Sequence, residues 1–133
     1  MNEALYKKVS QSFEKQGFLR LIGAKIEDVE EGRVSISLKK SDALTQQNGV
    51  LHAGVVTALA DTACGYSAFT AAGGADILSV EFKINLLRPA ASDKITAFGR
   101  VIKSGRKLIV TEADVTDESG KLIAKMTATM IPV

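Results

Sequence analysis

Asp61 stands inside the run Gly54 to Ala72, which is apolar or small almost throughout. A carboxylate in such a helix is costly unless it is paired, hydrogen-bonded or protonated. Thr57, Ala58, Cys64 and Gly65 lie three and four positions away, so no neighbouring cation neutralises it. Thr57 or the backbone could satisfy it, or its face could meet water; the alternative is a carboxylate held for chemistry. The approach to the helix, Gln46-Gln47-Asn48-Gly49-Val50-Leu51-His52-Ala53-Gly54, supplies the other half of such a reaction. Ala53 and Gly54 sit where amide N–H groups have no intrahelical acceptor and the helix dipole is positive. Donors of that kind stabilise a carbonyl oxygen as it gains negative charge.

Helix geometry then imposes a condition. Asp61 follows Ala53 by eight residues, roughly 12 Å along an α-helix. One substrate carbonyl cannot touch both from the same chain, so a joint site needs a second subunit, and a two-fold dimer would hold two such sites. His52, the only histidine, is expected to cap the helix start or shape the loop rather than act as a base. Gln46 and Asn48 are amides that could position water or substrate, or simply be solvated. Cys64 lies among Ala and Gly with no base nearby, which fits a small core residue better than a nucleophile.

Composition narrows the setting. The chain has 133 residues, enough for one domain, 1–133, and is 46% hydrophobic and 24% charged. A formal net charge of +2 gives no case for nucleic acid, and the apolar helix carries too many polar residues for a bilayer span. One cysteine and one histidine make neither a disulfide nor a metal site, and no cofactor is expected. A reducing cytoplasm fits, since Met1 to Lys8 lacks the apolar run of an export signal.

The remaining pattern supplies the elements. Leu5, Val9 and Phe13 predict an amphipathic helix over Asn2 to Gln16, with Asn2 as N-cap and Gly17 as the stop. Lys25 to Val29 and Arg33 to Lys39 read as a strand pair, and four strands follow the apolar helix: Ser79 to Leu86, Lys94 to Lys103, Lys107 to Thr116 and Lys121 to Ile131. In the first of these, Val80, Phe82, Ile84 and Leu86 should share one face, and Ser79, Glu81, Lys83 and Asn85 the other. An α+β fold is expected, with an antiparallel sheet of about six strands curled around a wholly buried helix.

These residues resemble a known family. The run Gln46 to Asp61, with His52-Ala53-Gly54 and Ala60-Asp61-Thr62, and the later Ser79 to Ala90, is similar to the hotdog-fold acyl-CoA thioesterases of the PaaI, phenylacetate-degradation, type. The resemblance covers nearly the whole chain. It implies hydrolysis of an acyl-CoA thioester to an acid and free coenzyme A, with Asp61 as nucleophile or general base. It implies that Ala53 and Gly54 of a partner subunit form the oxyanion hole; Ala53 stands where the family usually has the first glycine of His-Gly-Gly. Gln46, or Asn48 in another loop register, matches the amide that orients water or thioester, and His52 matches the motif histidine. Ser79 matches a hydroxyl that holds substrate or water, and Thr62 and Gly65 fall in the substrate-binding stretch. The acyl group is expected near Ala58, Gly65 and Ala68. Arg88, Lys103, Arg106 and Lys107 are expected to cluster, with Arg88 and Arg106 facing coenzyme A. The family assembles as dimers or tetramers, so a homodimer at least, and a homotetramer by resemblance, is expected. A non-catalytic acyl-CoA sensor and an enoyl-CoA hydratase or dehydratase are the alternatives on this fold.

Overall fold

The structure, a computed structural model, describes all of residues 1–133. Helix α1 spans Glu3–Phe13 and is capped by Asn2, whose Oδ1 accepts from the Leu5 amide at 3.1 Å. It buries Val9 and stops three residues earlier than expected. Gly17 does not end it. The backbone at Gln16 is extended, and Gly17 opens a second helix, α2, Gly17–Ile22, which ends on the left-handed Gly23. Hairpin β1, Lys25–Glu30, and β2, Arg33–Lys39, leads through a loop to α3, Ala53–Ala71. Strands β3, Ile77–Leu86, β4, Lys94–Ser104, β5, Ile109–Asp117, and β6, Leu122–Pro132, complete the chain.

All six strands form one antiparallel sheet in the order β1-β2-β4-β5-β6-β3, with α3 packed on one face. Leu59, Ala60 and Ala63 of α3 meet Ile36, Ile95, Ala97, Ala113 and Met126 from the strands in one buried core. Close approach depends on Gly99 of β4: a Cβ there would stand 2.4 Å from the Ala63 carbonyl oxygen. Ser67 ties the layers by donating to Ala63 O at 2.7 Å and accepting from the Val34 amide at 3.1 Å.

Two expectations about faces change. Helix α3 is not buried all round: ten of its nineteen residues are buried, while Asp61, Thr62 and Gly65 are half-buried and Ala53 and Gly54 exposed. One sheet can cover only one side of a helix, and the uncovered side carries Asp61, Thr62 and Gly65. In β3 the alternation is broken by a bulge between Ser79 and Glu81. Val80 is the extra residue, so Ser79 pairs with the buried Met130 and turns toward α3, while Glu81 turns outward. Ser79 thus shares the inner face with Phe82 and not with Glu81.

Strand β3 is also not a neighbour of β4. It lies at the sheet's edge beside β6, with one ladder edge unpaired. Leu78, Val80, Phe82 and Leu86 are 57%, 55%, 43% and 51% exposed, a density of bare apolar side chains unusual for an edge strand. No helix is long and apolar enough to cross a membrane.

Candidate functional site

The Asp61 carboxylate has one hydrogen-bond partner, and it is not on its own helix. Ser79 Oγ donates to Asp61 Oδ1 at 2.7 Å, a contact the β3 bulge makes possible. Thr57 is otherwise engaged: its hydroxyl donates to the Ala53 carbonyl at 2.7 Å. Thr62 likewise donates back to Ala58 O at 2.7 Å. Asp61, Thr62, Gly65 and Ser79 border a cleft of about 470 Å³ between α3 and the start of β3. Its other walls come from Ile77 and Leu78, and from Ser12, Gln16, Tyr66 and Asp76, none of which stands out in the sequence by pattern alone. Ser12 sits in the last turn of α1, Gln16 in the extended link to α2, and Tyr66 five residues beyond Asp61; the packing of α1 on α3 brings them to the cleft.

The second group of expected residues lies elsewhere. Gln46, His52, Ala53 and Arg88 border a separate cleft of about 480 Å³ at the N-terminus of α3 and the end of β3. The loop is held there by Leu51 N donating to Ala90 O and His52 N to Leu44 O. Gly49, in the left-handed region at φ 79°, turns the chain between Gln46 and Val50, and the Gln46 side-chain oxygen accepts from the Asn48 amide. Gln46 therefore faces the cleft, while Asn48 lies on the exposed tip and does not line it.

His52 is the N-cap of α3, as expected. Its Nδ1 accepts from the Gly54 N–H at 2.8 Å, which leaves the ring proton on Nε2. That bond changes the reading of the oxyanion donors. Gly54's N–H is already committed to His52, and the Ala53 N–H has no acceptor in the chain. A Cβ at Gly54 would lie 3.0 Å from His52 Nδ1, so the glycine gives the imidazole its space.

Three further expectations are corrected. Ala68 is fully buried and lines neither cleft, because it falls on the sheet-facing side of α3. Ala58 lies outside both linings, leaving Gly65 as the small residue at the cleft. Arg88 does not join the other basic residues: it donates to Leu122 O beside the second cleft, while Lys103, Arg106 and Lys107 lie together at the β4–β5 turn. That turn opens level with Ser79 across the sheet, through the pairs Ser79–Met130, Met130–Ile109 and Ile109–Ser104. Cys64 is buried, and burial pushes its thiol up to about 12, an inert core residue.

A carboxylate can act as base or nucleophile, and a free helix-start amide can receive a carbonyl oxygen as it gains charge. Residues 48–124, which carry both, match the model of the thioesterase superfamily. The chain belongs to the thioesterase superfamily. It is a thioester hydrolase with a hotdog fold. The chain is 40% identical to a thioesterase family protein from Silicibacter pomeroyi, with a TM-score of 0.92 over 97% of this chain and 98% of that one. It is 31% identical to the 1,4-dihydroxy-2-naphthoyl-CoA hydrolase of Listeria monocytogenes, over 80% of this chain and 88% of the relative. The Escherichia coli PaaI protein shares the fold, with a TM-score of 0.91 at 19% identity over 97% of this chain and 93% of that one.

Proposed function

We propose that this thioesterase hydrolyses acyl-CoA thioesters at sites shared between two chains. The carrying observation is the position of the two clefts at opposite ends of the unpaired β3 edge: Ser79 borders one and Leu86 the other. Two such edges related by a two-fold axis pair antiparallel, which sets the Asp61 cleft of one protomer against the Ala53 cleft of its partner. The same pairing covers the bare apolar side chains of β3. A dimer is the smallest assembly that completes the site; a tetramer would pair two such dimers.

In that arrangement the thioester carbonyl oxygen accepts from the partner subunit's Ala53, whose N–H has no other use. Asp61 either takes a proton from water as the water oxygen bonds to the carbonyl carbon, or itself bonds to that carbon and is released by water afterwards. In both routes the carbon–sulfur bond breaks, and the coenzyme A sulfur leaves and takes up a proton. Ser79 fixes the carboxylate's orientation. His52, whose Nδ1 accepts from Gly54 N–H, holds the α3 start in shape, and Gln46 offers its side-chain amide to water or thioester. Arg88 at the same cleft and Arg106 on the β4–β5 turn are the cations available to coenzyme A phosphates.

The test is free-thiol release from a panel of acyl-CoAs by wild type and Asp61→Asn. A near-isosteric amide still accepts from Ser79, so folding should be unchanged while turnover falls by roughly 10²–10⁴. Equal turnover refutes the assignment of Asp61, and acyl-CoA binding without thiol release would make the protein a sensor.

A further inference from the structure

The cleft at the start of α3 has a loop on each side. One is the turn from Gln46 to Val50, which leads into the helix; the other is the β3–β4 connection, which lines the cleft from Leu87 to Ala90. The turn closes on itself, through Gln46 N to Val50 O at 2.9 Å and Gly49 N to Gln46 O at 3.0 Å. Its base meets the opposite loop in one backbone bond, Leu51 N to Ala90 O at 3.0 Å. The tip, Gln47 to Gly49, makes no backbone–backbone bond outside the turn.

One side chain joins that tip to the other loop. Lys40 follows directly on β2, and its amide N–H donates to Asp93 O at 2.7 Å, which seats its backbone at the start of β4. From there the ammonium donates to Ala91 O at 3.1 Å and to Gly49 O at 3.4 Å, one carbonyl on each loop. No carboxylate pairs with it. An ammonium on a flexible stem carries three donors, so it can serve two carbonyls that belong to different segments. Lys40 lines neither cleft, so it acts through what it holds. Gly49 is held at both ends: its carbonyl by Lys40, its N–H by Gln46 O. The Gln46 side-chain oxygen is committed to the Asn48 amide within the same turn, which leaves the –NH2 as the end that can serve a ligand in the cleft.

We infer that Lys40 is a positioning residue for the hydrolysis: its ammonium staples the Gln46–Val50 turn to the β3–β4 loop and so fixes where the Gln46 amide stands against the thioester. This rests on the function proposed above, in which Gln46 meets water or thioester. The core sets the places of α3, β2 and β4, and the turn projects beyond them with an exposed tip. Without the staple the tip is tied only at its base, and a small displacement of a group that meets the reacting atoms is costly in rate.

The experiment compares thiol release by wild type, Lys40→Met, Gln46→Ala and the double variant. Methionine keeps an unbranched chain and removes every donor. Lys40→Met should lower kcat about tenfold while KM changes by less than about threefold. The melting temperature should stay within about 3 °C, because a partly exposed cation contributes little to the fold. In the Gln46→Ala background the same change should cost less than about twofold, since the group it positions is already gone. Full kcat in Lys40→Met, or an equal loss in both backgrounds, overturns the inference; a lower melting temperature with kcat unchanged makes the staple purely structural and overturns it too. Hydrogen exchange of the same proteins without substrate separates this from the proposed reaction. The amides of Asn48, Gly49 and Leu51 should exchange faster in Lys40→Met, with those of α3 unchanged. Faster exchange in a protein that releases no thiol keeps the staple and rejects the reaction, and unchanged exchange rejects the staple whatever the activity.

Discussion

Ala53→Pro removes the amide that the structure leaves free at the start of α3, and it does so with little cost to the fold. Ala53 is the first residue of α3, where an N–H has no intrahelical acceptor and proline's fixed φ suits the helix. His52, the residue before it, has φ −59° and ψ 139°, the extended conformation that proline requires of its predecessor. No hydrogen bond of the chain is lost, because the Ala53 N–H makes none. The expected loss is confined to the transition state: one oxyanion donor, worth roughly 10²–10³ in kcat. Thiol release should fall by that factor while the melting temperature moves by less than about 2 °C. A mixture then tests the shared site. Ala53→Pro and Asp61→Asn chains, each nearly inactive alone, should recover about a quarter of wild-type activity after subunit exchange, since half the dimers are mixed and each mixed dimer holds one intact site. Full activity in Ala53→Pro would refute the oxyanion assignment, and no recovery on mixing would refute a site built from two chains.

Two glycines should respond with opposite sign to alanine. Gly99→Ala drives a Cβ against the Ala63 carbonyl and Ser67 Oγ, backbone and a buried hydrogen bond that cannot yield, and should cost about 1–3 kcal/mol or more in urea denaturation. A Cβ at Gly65 meets nothing within 4 Å, so Gly65→Ala should gain about 0.5–1 kcal/mol of helix stability. With about 2.1 cal/mol/K per residue over 133 residues, that is a rise of about 2–4 °C in melting temperature, accompanied by loss of activity on the bulkiest acyl groups first. Cys64 is held protonated by burial up to about 12, against 9.0 for a free thiol. The folded state therefore keeps a proton that the unfolded chain releases, and this contribution to stability is complete below pH 9 and lost as pH rises from about 9 toward 12. Denaturation midpoints of wild type and Cys64→Ala should diverge in that window, and thiol reagents should label folded wild type slowly at neutral pH.

The parts of the fold legible in the sequence were those governed by periodicity and by chain count. Asn2 as a cap, β2 as Arg33–Lys39, and α3 displaced by one residue all followed from local pattern. The separation of Asp61 from Ala53 followed from helix rise alone, and the two residues do border different clefts. What was hidden depends on partners far along the chain. Alternation placed Ser79 on the face of Glu81, and only pairing with β6 reveals the extra residue that reverses it. Gly17 read as a stop because glycine at a helix end and at a helix start look alike until the next turn is seen. The commitment of the Gly54 amide to His52 was equally invisible, since spacing shows which amides lack helical acceptors and not which side chain folds back on them.

The separation of the proposed site residues, Ala53 at the start of α3 and Asp61 at its middle, follows from how the helix is built into the core. Its middle carries Ala60, Ala63 and Cys64 against the sheet, where Gly99 admits the backbone and no substrate has room. On the uncovered side of α3, its free N-terminal amide and its one carboxylate are separated by about two turns of helix. No side-chain motion closes that gap, because the amide belongs to the backbone and the carboxylate is tied to Ser79. The edge strand that leaves Phe82 and Leu86 bare runs between the same two points. In the proposed dimer, pairing it with a second copy removes an aggregation-prone edge and brings the two proposed half-sites together in one step, so stability of the assembly and turnover should fail together whenever β3 is disrupted.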